Sequence, residues 1–162
     1  MNEQYSVRVT KDYLVFSAAH FITFDGNICE RLHGHNYQVE AEVEGPLDEN
    51  HYVIDFIALR DELKSIVDTL DHRMLLPTEH PTIKVETQAQ EVTATFAEKR
   101  WIFPLEDCLL LPIANTTTEL LARHIGVELL RRLADRNIAI PQRLRISVDE
   151  NNGQWGNWLS SN

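Results

Sequence analysis

The sequence predicts an α+β domain in which two helices pack on one face of an antiparallel, four-stranded sheet. Three observations predict it. Residues 33–44 alternate, with Tyr37, Val39, Ala41 and Val43 on one face, as a half-buried strand requires. Residues 55–70 and about 117–134 instead place apolar side chains three and four apart, the spacing of a helix with one buried stripe. Strand-like and helix-like stretches also fall in separate runs, which favours helices on an antiparallel sheet over a parallel α/β arrangement.

In chain order, residues 5–19 alternate loosely and carry Tyr, Val, Phe and Thr, reading as one strand or a bent pair. Asp25-Gly26-Asn27 is a turn signal. The 33–44 strand follows. The first helix has Asp55 as its N-cap and Phe56, Leu59, Leu63, Ile66, Val67 and Leu70 as its apolar row. The second carries Leu121, Ile125, Leu129 and Leu133, and Thr116-Thr117-Thr118-Glu119 at its start fits a capping box. Residues 143–150 alternate again, and 154–159 pair with them through the turn Asn151-Asn152-Gly153. Between residues 78 and 113 a hairpin is expected, Val92–Phe96 returning as Trp101-Ile102-Phe103 around Ala97-Glu98-Lys99. With no repeat, low-complexity tract or Gly/Ser linker, residues 1–162 read as one domain.

At 162 residues, 43% hydrophobic and 25% charged, the chain can bury a sizeable core. Its net charge of −10 argues against a general nucleic-acid or anionic-membrane surface. An anionic small molecule remains compatible, because a metal ion or a few basic side chains reverse the potential inside a pocket. Cys29 and Cys108 are too few and too unlike in context for a disulfide framework, so a reducing cytoplasm is the expected compartment. No apolar leader or membrane-length window is present in the sequence.

The chemistry concentrates in Ile28-Cys29-Glu30-Arg31-Leu32-His33-Gly34-His35-Asn36-Tyr37. On a strand His33 and His35 point to one face and can converge on one ion. His20, ending the strand-like Phe16-Ser17-Ala18-Ala19-His20, is the best third ligand. Three imidazoles with one open position describe a catalytic zinc site rather than a closed structural one. His51, His80 and His124 lack such company and read as ordinary histidines. Cys29 and Glu30 are both plausible proton-transfer groups; if the stretch is extended, Cys29 shares the parity of His33 and His35. A cupin-like motif would need Glu40 as a ligand, but Glu40 has the opposite parity, and two helices contradict an all-β barrel.

Phe16-Ser-Ala-Ala-His20, Cys29-x3-His33-Gly-His35-Asn-Tyr37, Val53-Ile-Asp-Phe56, Leu70-Asp-His72, Thr116-Thr-Thr-Glu119 and Val148-Asp-Glu150 stand together in order. In these motifs, spread over about three quarters of the chain, the sequence resembles the 6-pyruvoyltetrahydropterin synthase family, which includes the 6-carboxytetrahydropterin synthases of queuosine biosynthesis. The resemblance implies the tunnelling fold (T-fold) and a homohexamer of two trimeric barrels, with active sites between subunits. It implies Zn2+ on His20, His33 and His35, Cys29 as catalytic base, and Asp71 with His72 as a proton relay. Glu150 would anchor the pterin edge, and Thr117 and Thr118 would help to hold the ring. The implied reaction converts 7,8-dihydroneopterin triphosphate to 6-carboxy- or 6-pyruvoyltetrahydropterin with loss of triphosphate, and Arg31 is a candidate partner for that leaving group. Two features depart from the usual pattern. Residues 78–113 form a longer connection than is typical. Glu30 satisfies Glu-x2-His-Gly-His, the spacing of a branch resembling enzymes that cut the same substrate to 6-hydroxymethyl-7,8-dihydropterin for folate synthesis. A T-fold protein that binds a pterin or purine without turnover is the non-catalytic alternative.

Overall fold

The computed structural model describes residues 3–26 and 28–161; Asn27, the third residue of the expected turn, lies outside them. The main sheet runs β10-β6-β2-β5-β11-β12, with β1 also paired to β5. Its organising strand is β5 (His33–Gly45). One edge of β5 is shared by β1 (Tyr5–Val9), which pairs with Ala41–Gly45, and β2 (Val15–His20), which pairs with His33–Gln38. The other edge takes β11 (Arg143–Asp149), and β12 (Trp155–Ser161) closes that side as a hairpin with β11. All these pairings are antiparallel, as the alternation predicts.

The helices α1 (Phe56–Leu70) and α2 (Thr118–Asp135) cover one face. Tyr37, Val39, Ala41 and Val43 meet Leu59, Leu63, Ile66, Leu121, Ile125 and Leu129 in one buried cluster. Asp55 caps α1, its carboxylate accepting from the Ile57 and Ala58 amides. The capping box expected at Thr116–Glu119 does not form. The N-cap is Thr117, and the Glu119 carboxylate accepts from the Thr118 hydroxyl instead. Thr116 is fully buried, and its hydroxyl donates to the Phe21 carbonyl. A tertiary contact thus moves the cap by one residue.

The sheet is wider than expected. After α1, β6 (Arg73–Pro77) pairs parallel with β2, and β10 (Cys108–Leu111) pairs parallel with β6. These short runs are covered on both faces, so they show no alternation to read. Leu75 joins the helix-side core, while Met74 and Leu76 join a second cluster on the other face. The expected hairpin is the second half of a three-stranded meander: β7 (Lys84–Gln88), β8 (Glu91–Phe96) and β9 (Lys99–Pro104). The first of these strands is missed because its residues are almost all exposed. The meander lays Val92 and Ala94 against Met74 and Leu76, with Phe21, Cys29 and Ile83 between. A minor hairpin, β3 (Thr23–Phe24) with β4 (Ile28–Cys29), connects β2 to β5, and Asp25 and Gly26 turn it with positive φ.

Candidate metal centre and active site

His20 ends β2 and His33 begins β5, directly opposite each other in the register, while His35 stands opposite Ala18. All three share the face of Phe16 and Tyr37, so they lie where the helix-side core reaches the end of the sheet. Gly34 lets the strands approach, since a Cβ there would come 3.0 Å from the Ala18 carbonyl oxygen. The imidazole ligand atoms lie within 4.8 Å of one another.

Hydrogen bonding settles which nitrogens face inward. His20 Nδ1 lies 3.0 Å from the Thr116 carbonyl oxygen, and His33 Nδ1 lies 2.7 Å from that of Arg31. A carbonyl only accepts, so both Nδ1 atoms carry the hydrogen, and the Nε2 atoms are the ones left to face an ion. This is how proteins orient imidazoles around an ion. Burial pushes His20 down to about 4, further lowered by His33 and His35 and only partly offset by the Thr116 bond, so the ring is neutral at pH 7. Three converging imidazoles around the neutral His20 ring fit a borderline metal cation such as zinc. The Tyr37 hydroxyl, 3.2 Å from His20 Nε2, buttresses the cluster; burial, with the Glu150 and Glu30 carboxylates, raises its pKa.

Two carboxylates border the imidazoles. Glu150 Oε1 is 3.4 Å from His20 Nε2 and 3.6 Å from His35 Nε2. Glu30 Oε2 is 3.8 Å from His33 Nε2, and the Glu30 main chain is pinned by donation of its amide to the Ile22 carbonyl at 3.0 Å. Cys29 is placed differently. It is 6% exposed and packs in the meander-side cluster with Phe21 and Met74, its thiol directed at the Glu30 carbonyl 3.6 Å away. Burial pushes the thiol up, and Lys99 opposes this less strongly. The parity argument for Cys29 does not hold, because the pairing of β4 ends at Cys29 and β5 begins only at His33. Within that break the Glu30 carboxylate borders His33, and the Cys29 thiol packs in the meander-side cluster.

Asp71 and His72 form a dyad, Oδ2 to Nδ1 2.8 Å, and the Ser17 amide donates to Asp71 Oδ1 at 2.8 Å. That backbone bond, aided by His72, lowers the Asp71 pKa despite some desolvation. The His72 side chain is 83% exposed, and among the described residues no hydrogen bond or ion pair joins the dyad to the imidazole cluster. Thr117 and Thr118 sit half-buried at the start of α2, Thr118 packed where Gly156 of β12 leaves room. Arg31 is exposed and lines a cavity with Lys99 and Arg100. Glu40 points away from the histidines and pairs with Arg8.

The sequence profile of the 6-pyruvoyl tetrahydropterin synthase family matches residues 8–158. The chain belongs to that family. It is 33% identical over 142 residues, 87% of this chain and 86% of the other, to a Methanocaldococcus jannaschii protein provisionally named 6-carboxy-5,6,7,8-tetrahydropterin synthase. Among solved structures, Plasmodium falciparum 6-pyruvoyl tetrahydropterin synthase superposes with a TM-score of 0.88 at 30% identity, covering 99% of this chain and 100% of that one. A Plasmodium vivax 6-pyruvoyltetrahydropterin synthase carrying a glutamate-to-alanine change at a catalytic residue gives the same TM-score at 26% identity, with the same coverage. The protein is therefore a tetrahydropterin synthase-like lyase of the pterin-processing class, on an α+β tunnelling fold.

Within this tetrahydropterin synthase fold, several supporting residues escaped sequence reasoning. Thr116 orients His20, and Asn115 donates to the Thr23 carbonyl at 3.1 Å. Asp149 is buried and accepts from the amides of Asn151, Gly153 and Gln154, fixing the turn that presents Glu150. His80, read as an ordinary histidine, is indeed away from the cluster; it accepts the Ile83 amide on Nδ1 and holds Thr23 at 2.7 Å through Nε2. For Asp149 a signal was available, since Asp ahead of Asn-Asn-Gly commonly caps a turn. Thr116 gives none, because its role is set by a strand 96 residues away.

Proposed function

We propose that the protein is a zinc-dependent lyase that cleaves 7,8-dihydroneopterin triphosphate to 6-hydroxymethyl-7,8-dihydropterin, with Glu30 as the proton-transfer group. The observation that carries this reading is the position of the Glu30 carboxylate, 3.8 Å from His33 Nε2, while the Cys29 thiol is buried in the meander-side cluster and directed at the Glu30 carbonyl. Support also comes from the Plasmodium vivax enzyme of the same fold, whose catalytic residue is a glutamate. His20, His33 and His35 would hold the zinc, which when bound would polarise the hydroxyl oxygens of the substrate side chain. Glu30 would take the proton of the second side-chain hydroxyl. The bond between the first and second side-chain carbons breaks, its electron pair passes into the C6=N5 system, and a proton returns to the first carbon. The second fragment is a two-carbon aldehyde carrying the phosphates, so no oxidant is needed. Glu150 would accept the paired N–H donors of the pterin edge side by side, and Thr117 and Thr118 would border the ring. Asp71 and His72, exposed on one subunit, would complete the site of a neighbour within a homohexamer.

Formation of 6-carboxytetrahydropterin with Cys29 as base is a second reading. It is favoured by the name of the Methanocaldococcus relative and by Lys99, which favours the thiolate. Zinc-loaded protein is incubated with the triphosphate and the products identified by mass spectrometry, with Glu30→Gln and Cys29→Ala in parallel. We expect 6-hydroxymethyl-7,8-dihydropterin from the parent and from Cys29→Ala, and a loss of at least about 100-fold in Glu30→Gln at unchanged zinc content. A 6-carboxytetrahydropterin product that disappears only in Cys29→Ala establishes the second reading instead. Unchanged substrate from zinc-loaded parent protein refutes both.

A further inference from the structure

The turn between β8 and β9 brings two cations to the segment that carries Glu30. Lys99 Nζ donates to the Cys29 carbonyl at 2.7 Å. Lys99 and Arg100 line a cavity of about 340 Å³ with Arg31, Leu32 and Trp101. Arg31 follows Glu30 directly, and its carbonyl receives the His33 imidazole, so the cavity adjoins the metal cluster. This concentration of positive charge stands in a chain of net charge −10. Elsewhere the basic side chains are largely neutralised: Arg8 faces Glu40, Arg143 faces Glu44, Arg145 faces Glu42, and Arg136 faces Glu62. Among the described residues, no carboxylate lies within ion-pair distance of Arg31, Lys99 or Arg100. Like charges gathered around one cavity repel one another, and a bound polyanion removes that cost.

We propose that Arg31, Lys99 and Arg100 form a polyphosphate subsite, through which the meander holds the phosphate chain of the substrate while its reacting carbons lie beside Glu30 and the imidazoles. This rests on the reading that the substrate is a pterin triphosphate. The two guanidinium groups suit bidentate contact with phosphate oxygens. Lys99 spends one of its three donors on Cys29 and keeps two. The subsite gives the 84–104 meander a function: it selects triphosphate-bearing substrates.

The test measures binding of inorganic tripolyphosphate to the zinc-loaded protein by calorimetry, with sulfate at matched ionic strength as control. The parent should bind tripolyphosphate in preference to sulfate. Arg100→Gln and Lys99→Gln should each weaken that binding about tenfold, the loss of one charge-assisted contact. Lys99→Arg, which keeps the charge, should restore most of it. Among the described residues the Arg100 side chain has no hydrogen-bond or ion-pair partner, so its variant reads the subsite without loosening the Cys29 segment. Weakening should be greater for the triphosphate substrate than for unphosphorylated 7,8-dihydroneopterin. Tripolyphosphate affinity unchanged in both glutamine variants, or no preference over sulfate in the parent, overturns the proposal. The binding measurement needs no turnover. Charge-dependent binding without cleavage of dihydroneopterin triphosphate would sink the lyase reading and leave the subsite standing; cleavage with unaltered variant affinities would do the reverse.

Discussion

His20 couples the metal cluster to the stability of the fold. Its imidazole is 1% exposed and is pushed by burial down to about 4, from an ordinary value of 6.5. Between those values the unfolded chain binds a proton that the folded chain refuses, so stability rises with pH across that window and is lost as pH falls through it. Fully expressed, the shift is worth on the order of 3 kcal/mol. The urea midpoint of metal-stripped protein should therefore fall as pH is lowered from 7 to 4.5. Burial lowers His80 and His124 as well, and both add to the same slope. The diagnostic is the difference: His20→Gln should flatten the profile, and a variant profile parallel to the parent's would contradict this account. Residue by residue, the clustering of His20, His33 and His35 was legible because strand parity and the Phe16–His20 run place them on one face. The choice between Cys29 and Glu30 was not legible, because three residues outside the strands separate β4 from β5 and strand parity does not carry across them.

Among the elements, the β11–β12 hairpin shows how a turn can set a binding group. Asp149 reaches the Gly153 amide at 2.7 Å and the Gln154 amide at 3.0 Å, and the Glu150 amide closes the loop on the Gln154 carbonyl at 3.1 Å. Asn152 and Gly153 both take positive φ there. Asp149→Ala leaves these amides without their acceptor, at a cost of roughly 2–3 kcal/mol. It also frees the residue that borders the imidazoles. Chemical denaturation should report the stability loss, and pterin binding to the folded variant should weaken in the same direction as in Glu150→Gln. Full pterin affinity in Asp149→Ala would show that the turn does not position Glu150. The long elements were readable because each buries only one face: β5 by alternation, α1 and α2 by their three-and-four spacing. β6 and β10 are short and covered on both sides, so their apolar runs carry no period.

For the molecule as a whole, the exposure of His72, with no hydrogen bond or ion pair among the described residues from the dyad to the imidazole cluster, has a direct consequence. If the dyad completes a neighbour's site, two inactive variants can repair each other. Glu30→Gln supplies an intact dyad and His72→Ala an intact Glu30. Mixed, dissociated and reassociated in equal amounts, they should recover activity at about a quarter of the sites, as random assortment of subunits requires. Activity that stays at the level of the separate variants would place the whole site within one chain. The exposed His72 side chain and the absence, among the described residues, of a hydrogen bond or ion pair from the dyad to the cluster are what make the experiment informative.

By itself the sequence determined the helix-bearing antiparallel sheet, the clustering of His20, His33 and His35 and the family, because these rest on local periodicity and on motifs whose residues are near neighbours in the chain. Only the tertiary structure decided which carboxylates border the imidazoles, that Thr116 orients His20, and that residues 84–104 bring Lys99 and Arg100 beside Arg31. The Thr116 and Lys99 contacts depend on groups contributed from a distant part of the chain, and such contacts leave no period in the sequence.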